Sequence, residues 1–322
     1  MDYRKLIKFG NNSYVISLPK EWLKKNQLDK GNLIYLNENS NNEIVLAPTL
    51  SETQQESKET ILNVDNKDAR RIRREIISAY LNNFSVIKLT GENIQKNTEV
   101  IRDTIHSLMG LEIIEQTKDK TLIRDFLNIR DISLNELMRK MDIITRSMMS
   151  DIPLCFQKDH AINIDHRGQD VLRMSFVILR AIRRGLKDPE YAKNLQLTSL
   201  QLFEIWNTAS QIKFIADQIR EIAHFFPILE KIPSKEKEQI KQYLKQLTEL
   251  YSNVMKAFYT EDIQLANKMS QTKNCLRKET TELLKKLYTN KKGLEYLAYT
   301  PLFDRLSTLA NEINKIARRI YS

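Results

Sequence analysis

Along residues 133–322 apolar side chains recur at the three-and-four spacing of a helix that hides one face. Leu134, Leu137, Met138, Met141, Ile144 and Met148 form one such stripe. The same period predicts helices over 165–186, 199–226, 235–259, 263–288 and 302–321. Breaks fall at Pro153, at 185–189, between Pro227 and Pro233, at Thr260 and at 290–293. The six helices form two sets of three, about 133–226 and 235–322. Leu202, Ile205, Ala209, Ile212, Ile215, Ala216 and Ile219 in the last helix of one set match Phe303, Leu306, Ala310, Ile313, Ile316, Ala317 and Ile320 in the other, at constant offset. An internal repeat is expected. Phe203, Trp206 and the methionines at 138, 141, 148 and 149 stand at core spacing and are read as packing.

The first 48 residues follow a different pattern. Tyr3 to Phe9 alternates in part, Gly10-Asn11-Asn12 signals a turn, and Tyr14 to Leu18 is a second β-rich run. Pro19 suits the first turn of a short helix through Leu23, with Leu18, Trp22 and Leu23 toward a core. Leu33 to Leu36 and Glu43 to Ala47 read as strands joined by the polar turn Asn37 to Asn42. A β-β-α-β-β unit this small buries too little to stand alone, and dimerisation through its strands would cover their edges. Residues 49–63 read as a linker. A small α/β domain follows over 64–128. It holds a helix from Asp65 to Asn82 capped by Asp65, a strand over Phe84 to Leu89, and a helix from Ile94 to Met109 ended by Gly110. A hairpin is expected around Lys118-Asp119-Lys120. The fold class is therefore mainly α, with the helical domain over 129–322.

Composition sharpens this. Glycine and proline number 7 each in 322 residues, about 4% together against roughly 12% in ordinary usage, which suits long helices. The two cysteines, Cys155 and Cys275, make neither a disulfide framework nor a cysteine-rich zinc site and are expected as free thiols. No apolar run is long enough to span a membrane, and the first residues lack a signal-peptide core, so a soluble, cytoplasmic protein is expected.

Formal net charge is +10, from 51 Lys+Arg and 41 Asp+Glu, so an acidic partner fits. Within residues 1–30, Arg4, Lys5, Lys8, Lys20, Lys24, Lys25 and Lys30 stand against Asp2, Glu21 and Asp29. Arg4 and Lys8, four apart on an extended run, share a face beside Asn11, Asn12 and Ser13. Positive charge neutralises nucleic-acid phosphates, and amides and hydroxyls hold phosphates or read base edges. The candidate DNA-binding residues are Arg4, Lys5, Lys8, Asn11, Asn12, Ser13 and Lys20; a solvated face on a dimeric β-module is the other reading. Arg70, Arg71, Arg73 and Arg74 form a second basic cluster, read as a solvated helix face with local ion pairs or as a further phosphate or acidic-protein contact.

Asp159, His160, Asp165, His166 and Asp170 gather metal-ligating types, with His166 and Asp170 on one helix face. His160 falls in an expected loop, however, and no HExxH or HxxxH spacing occurs. His106 and His224 are read as structural. There is no Walker loop, GxGxxG or GxSxG, so no enzyme and no cofactor are expected.

Two resemblances emerge from these residues. The segment LIKFGNNSYVISLPKEWLKKNQLDKGNLIYL resembles the AbrB/SpoVT/MazE swapped-hairpin domains. The part from about Ser133 onward resembles PhoU-type regulators built of two three-helix bundles. With the α/β insert, the whole is similar to fused archaeal AbrB–PhoU proteins. The resemblance implies a homodimer that binds DNA through its N-terminal module, with a helical part that senses or relays phosphate status. A phosphate transporter or signalling protein is a further partner it implies, and an adaptor whose N-terminal module only dimerises is the alternative function. Antitoxin-type members of the same family bind protein partners. PhoU proteins also carry paired carboxylates for a metal cluster. The matching positions here are Phe203, Asn207, Asp304 and Thr308, only one of them acidic, so no such cluster is expected.

Overall fold

The computed structural model describes residues 3–11, 13–38, 44–48, 58–156, 160–226, 234–289 and 300–320. The chain divides into two units, 1–56 and 57–322.

In the first unit, β1 (Ile7–Phe9) and β2 (Ser13–Val15) form one antiparallel hairpin. Helix α1 (Lys20–Lys25) follows Pro19 and ends at Asn26, whose amide donates to the Trp22 carbonyl at 2.8 Å. β3 (Tyr35–Glu38) and β4 (Ile44–Ala47) form a separate hairpin. The β-β-α-β-β order is the expected one, with β1, β2 and β4 shorter and β3 shifted two residues along the chain. Asn37, expected to open the turn to Asn42, is instead paired with Val45 in β3, and residues 39–42 lie outside the described ones. Leu18, Trp22 and Leu23 are half-buried, and none of the residues with described side chains in this unit is fully buried.

The second unit begins earlier than the sequence suggests. β5 (Glu59–Asn63) lies inside the stretch expected as a linker, and residues 49–57 are outside the described ones. Its Glu-Thr-Ile-Leu-Asn alternates with only two apolar residues, a weak signal, and it is held by parallel pairing to β6 (Val86–Thr90). β7 (Leu111–Gln116) and β8 (Lys120–Asp125) complete a sheet ordered β5-β6-β8-β7. Helix α2 (Ala69–Leu81) is capped by Asp68, not Asp65, because the Asp68 carboxylate accepts from Arg71 N at 2.6 Å. Asp65 instead accepts from Asn93 N at 3.0 Å, and that bond holds its carboxyl below the ordinary range. The helix expected over 94–109 is a 3-10 turn (Gln95–Asn97) followed by α3 (Thr98–His106). Ile72, Ile76 and Tyr80 of α2 and Ile101 and Ile105 of α3 bury one sheet face through Ile87, Leu89 and Ile123.

The long helices are α4 (Leu134–Asp151), α5 (His160–Gly185), α7 (Ser199–Phe225), α8 (Ser234–Thr260), α9 (Ile263–Thr289) and α10 (Thr300–Arg319). A seventh, short helix, α6 (Pro189–Leu195), starts at the end of the expected break at 185–189 and fills the stretch before α7; Asp188 caps it and Pro189 opens it. Helices α4, α5 and α7 pack on one another, as do α8, α9 and α10, and one continuous core runs through both sets. The sets meet through α4 on α8 and α7 on α10. In each of these two pairs a helix meets its counterpart in the expected repeat. The matched apolar series are buried in both, apart from half-buried Ile320. Phe203, expected in the core, is 59% exposed because it lies off the buried stripe of Leu202, Ile205 and Ala209. The breaks at 227–233 and 290–293 lie outside the described residues.

Helix α5 belongs to both cores. Its Phe176 and Leu179 pack against the α/β core while Val171, Ile178 and Ala181 lie in the helical one. Between them Arg180, 3% exposed, donates to Asn83 Oδ1 at 2.9 Å and to the Asp125 carboxylate, and its guanidinium sits 4.5 Å from the Tyr80 ring centre. Burial pushes the Tyr80 phenol up to about 12. Arg183 adds a bond to Asn82 Oδ1 at 3.1 Å.

Candidate nucleic-acid interface

The first hairpin fixes which candidate residues share a face. Ile7 stands opposite Val15, Lys8 opposite Tyr14 and Phe9 opposite Ser13. Directly paired residues lie on the same face, and successive residues alternate. Lys8 and Tyr14 therefore share one face, and Phe9, Ser13, Ile7 and Val15 the other. The sequence suggests Ser13 beside Lys8, but the turn that links them returns the chain in a register that sets Ser13 against Phe9. Gly10 enters that turn at φ +71°, a conformation that favours glycine. Asn11 follows it, exposed, and Asn12 lies outside the described residues.

Arg4 and Lys5 precede β1, so no strand register assigns them a face. Both are exposed, and the Arg4 guanidinium donates to the Tyr3 carbonyl at 3.0 Å. Lys20 is the first residue of α1 and is exposed. A cation there opposes the positive end of the helix dipole, an arrangement an external phosphate relieves. Lys5, Lys8 and Lys20 have no ion pair among the described residues. Their charge is turned outward, as phosphate neutralisation requires.

The same unit exposes much apolar surface. Tyr3, Leu6, Phe9, Tyr14, Leu33, Leu36 and Ile44 all remain more than half open to solvent. These residues are spread over both hairpins and cannot all be covered within so small a unit. This is the surface a second chain would bury. The sequence does not single out the aromatic Tyr14 beside Lys8, although its alternation with Ser13 and Val15 carries the signal.

The second basic cluster lies on α2. Arg70, Arg71, Arg73 and Arg74 are exposed around buried Ile72. Arg71 pairs with Glu75 at 3.1 Å, and Lys67 reaches the same carboxylate at 2.6 Å. Lys67, then Arg71, draw the Glu75 carboxyl below its ordinary range. Arg70, Arg73 and Arg74 have no ion pair among the described residues.

The histidine-rich stretch resolves differently. His160 opens α5 and is not in a loop; Asp159 lies outside the described residues. His224 is not isolated: its Nε2 is 3.0 Å from Asp165, which also accepts from Arg220 at 3.1 Å. Asp170 has Arg173 at 3.9 Å. Among the described residues, no three His, Cys, Asp or Glu side chains converge as metal ligands would. Cys155 is buried and Cys275 exposed, both free. No described helix is long and apolar enough to cross a membrane.

No curated protein and no solved structure matches the chain, and nothing in these comparisons supports the likeness of the helical part to PhoU. Residues 7–54 match the family described as antidote-toxin recognition MazE, bacterial antitoxin, so the N-terminal hairpin unit is a MazE/AbrB-like domain.

Proposed function

We propose that the protein is a dimeric, non-enzymatic transcriptional regulator that binds DNA through its N-terminal unit and carries a signal through its helical part. The observation that carries this is a MazE/AbrB-like match over residues 7–54 on a unit that has outward cations and no fully buried described side chain. Such domains typically dimerise and bind DNA. Arg4, Lys5, Lys8, Asn11, Asn12, Ser13 and Lys20 then meet the duplex, with the cations on phosphates and the amide and hydroxyl groups on phosphates or base edges. The paired three-helix sets are read as a PhoU-like sensor or relay linked to phosphate homeostasis, and the repeat across α7 and α10 supports that reading. Reorientation of the two DNA-binding halves would alter their fit to paired half-sites.

A second reading takes the unit as a protein-binding module on an adaptor. The family's description as a toxin-recognition domain and the exposed Leu33, Leu36 and Ile44 favour it. Fluorescence anisotropy on sheared genomic DNA across a salt series separates the two. Tight, salt-dependent binding that disappears on deletion of residues 1–48 supports the regulator. Equal, weak binding by both chains turns the assignment to the adaptor.

A further inference from the structure

Helix α9 buries Ala266, Met269, Leu276 and Leu283 at spacings that define one stripe. Lys273 falls in that stripe and is only 8% exposed. The repeat shows how unusual this is. Gly168, Ser175 and Ile182 of α5 are buried and stand 101 positions before Met269, Leu276 and Leu283, and the residue matching Lys273 is Leu172. A buried lysine thus stands where the matching position of the other set holds the half-buried Leu172.

Among the described residues nothing offsets its charge. Its one hydrogen bond there is a long one, 3.4 Å to Asn274 Oδ1. The charges that act on it are cationic: Arg277, one turn along α9, and Arg318 on α10, which packs against α9. Burial first, then Arg318 and Arg277, depress the ammonium's pKa, and no described carboxylate acts against them. Both arginines are exposed and have no ion pair among the described residues. A covered ammonium beside two guanidinium groups is unfavourable by desolvation and by repulsion alike. The arrangement becomes favourable when an anion is added.

We infer that Lys273, Arg277 and Arg318 form a binding site for a dianionic phosphoryl group on the helical part. Three cations without a carboxylate call for more than one negative charge. The guanidinium forks suit tetrahedral oxygens, while the lysine supplies a point charge from beneath. Inorganic phosphate and a phosphate monoester share this chemistry. The site is independent of the N-terminal unit and of the DNA-binding reading.

Thermal unfolding of the full chain at fixed ionic strength tests it, with chloride replaced by inorganic phosphate, by sulfate or by glycerol phosphate. A rise in Tm of about 3 °C is expected at a phosphate concentration ten times Kd. A larger rise with glycerol phosphate than with phosphate identifies an ester as the ligand, and the reverse identifies the free ion. Lys273→Leu, which restores the apolar residue of the other repeat, should melt higher than the parent in chloride and lose the phosphate response. Arg277→Gln with Arg318→Gln should weaken phosphate binding at least about tenfold while leaving the chloride Tm within a few degrees. Identical melting of the parent in chloride and in all three anions overturns the proposal. So does a phosphate response that survives in Lys273→Leu, since binding then lies elsewhere.

Discussion

Gln211 Nε2 donates a hydrogen bond to Glu312 between α7 and α10, and the two residues are counterparts in the repeat, 101 positions apart. A residue meets its own counterpart only on or near an axis of approximate twofold symmetry. Such an axis, expected from the repeat, would cross the helical part near this bond. Glu312 is 8% exposed and also receives the Lys315 ammonium at 2.7 Å.

Truncating one side of this pair strands the other. Glu312→Ala should cost about 1–3 kcal/mol, because the buried Gln211 amide loses its acceptor. Replacing both by leucine should cost less than the single change, since no polar group is left unpaired. Urea unfolding of the three variants reads this directly, and a double variant weaker than Glu312→Ala would contradict it.

Arg180 joins two cores through one buried guanidinium. Arg180→Leu leaves Asp125 with an uncompensated charge and should destabilise by about 3–5 kcal/mol. Arg180→Lys keeps the charge but loses the forked contact to Asn83 and Asp125, and should fall between. Near-ultraviolet and far-ultraviolet melts should separate in Arg180→Leu as the α/β part loosens first; coincident melts at the parental temperature would refute the coupling.

Gly168 lies inside α5, where alanine ordinarily stabilises a helix by about 1 kcal/mol. Here a Cβ would run into Arg220 Cδ, because the arginine crosses that spot to reach Asp165. Gly168→Ala should therefore destabilise and displace Arg220. The matching Arg220→Ala background should convert the same substitution to a neutral or stabilising one, and equal effects in both backgrounds would show that Arg220 is not the cause.

Alkaline pH should unfold the second unit. Burial pushes the Cys155 thiol up to about 11 from 9.0, and the Tyr80 and Tyr191 phenols up to about 12 from 10.0. The folded chain keeps protons that the unfolded chain releases, so stability is full below about pH 9 and falls as pH climbs through 10 and 11. The urea midpoint at pH 10.5 should lie below that at pH 8. Cys155 should resist alkylation at pH 8 while exposed Cys275 reacts, and a flat midpoint across that range would remove the linkage.

Charge removal should act by place and not by number. Arg4, Lys5 and Lys8 changed together to Gln should reduce the salt slope of DNA binding by about 0.9 for each phosphate left without its cation. Arg70, Arg73 and Arg74 changed to Gln remove the same charge and serve as its match. Equal losses from both triples would assign the binding to net charge.

Periodicity makes the long helices legible, because a buried stripe repeats for many turns in each of α4 to α10 apart from short α6. It fails where the support is nonlocal. β5 has two apolar residues and owes its form to pairing with β6, which lies beyond the whole of α2. α6 announces itself only through Asp188 and Pro189. The pairing of Asp165 with His224 and Arg220, and of Arg180 with Asp125, joins residues more than 50 apart, which spacing on one helix cannot reveal. Phe203 adjoins core position Leu202, and a short window of apolar residues does not separate the two. The candidate interface is legible as charge, while the face assignments of Lys8 and Ser13 need the hairpin register.

A unit whose described side chains fill no interior would have no melting point of its own. On the dimeric reading, two thin hairpins and a six-residue helix would acquire one by meeting a partner surface, which ties the order of the N-terminal unit to the number of chains in the volume. On that reading the assembled dimer is scarce at low copy number, and its abundance rises with the square of chain concentration. The cell would then tune DNA recognition by synthesis and dilution as well as through the helical part.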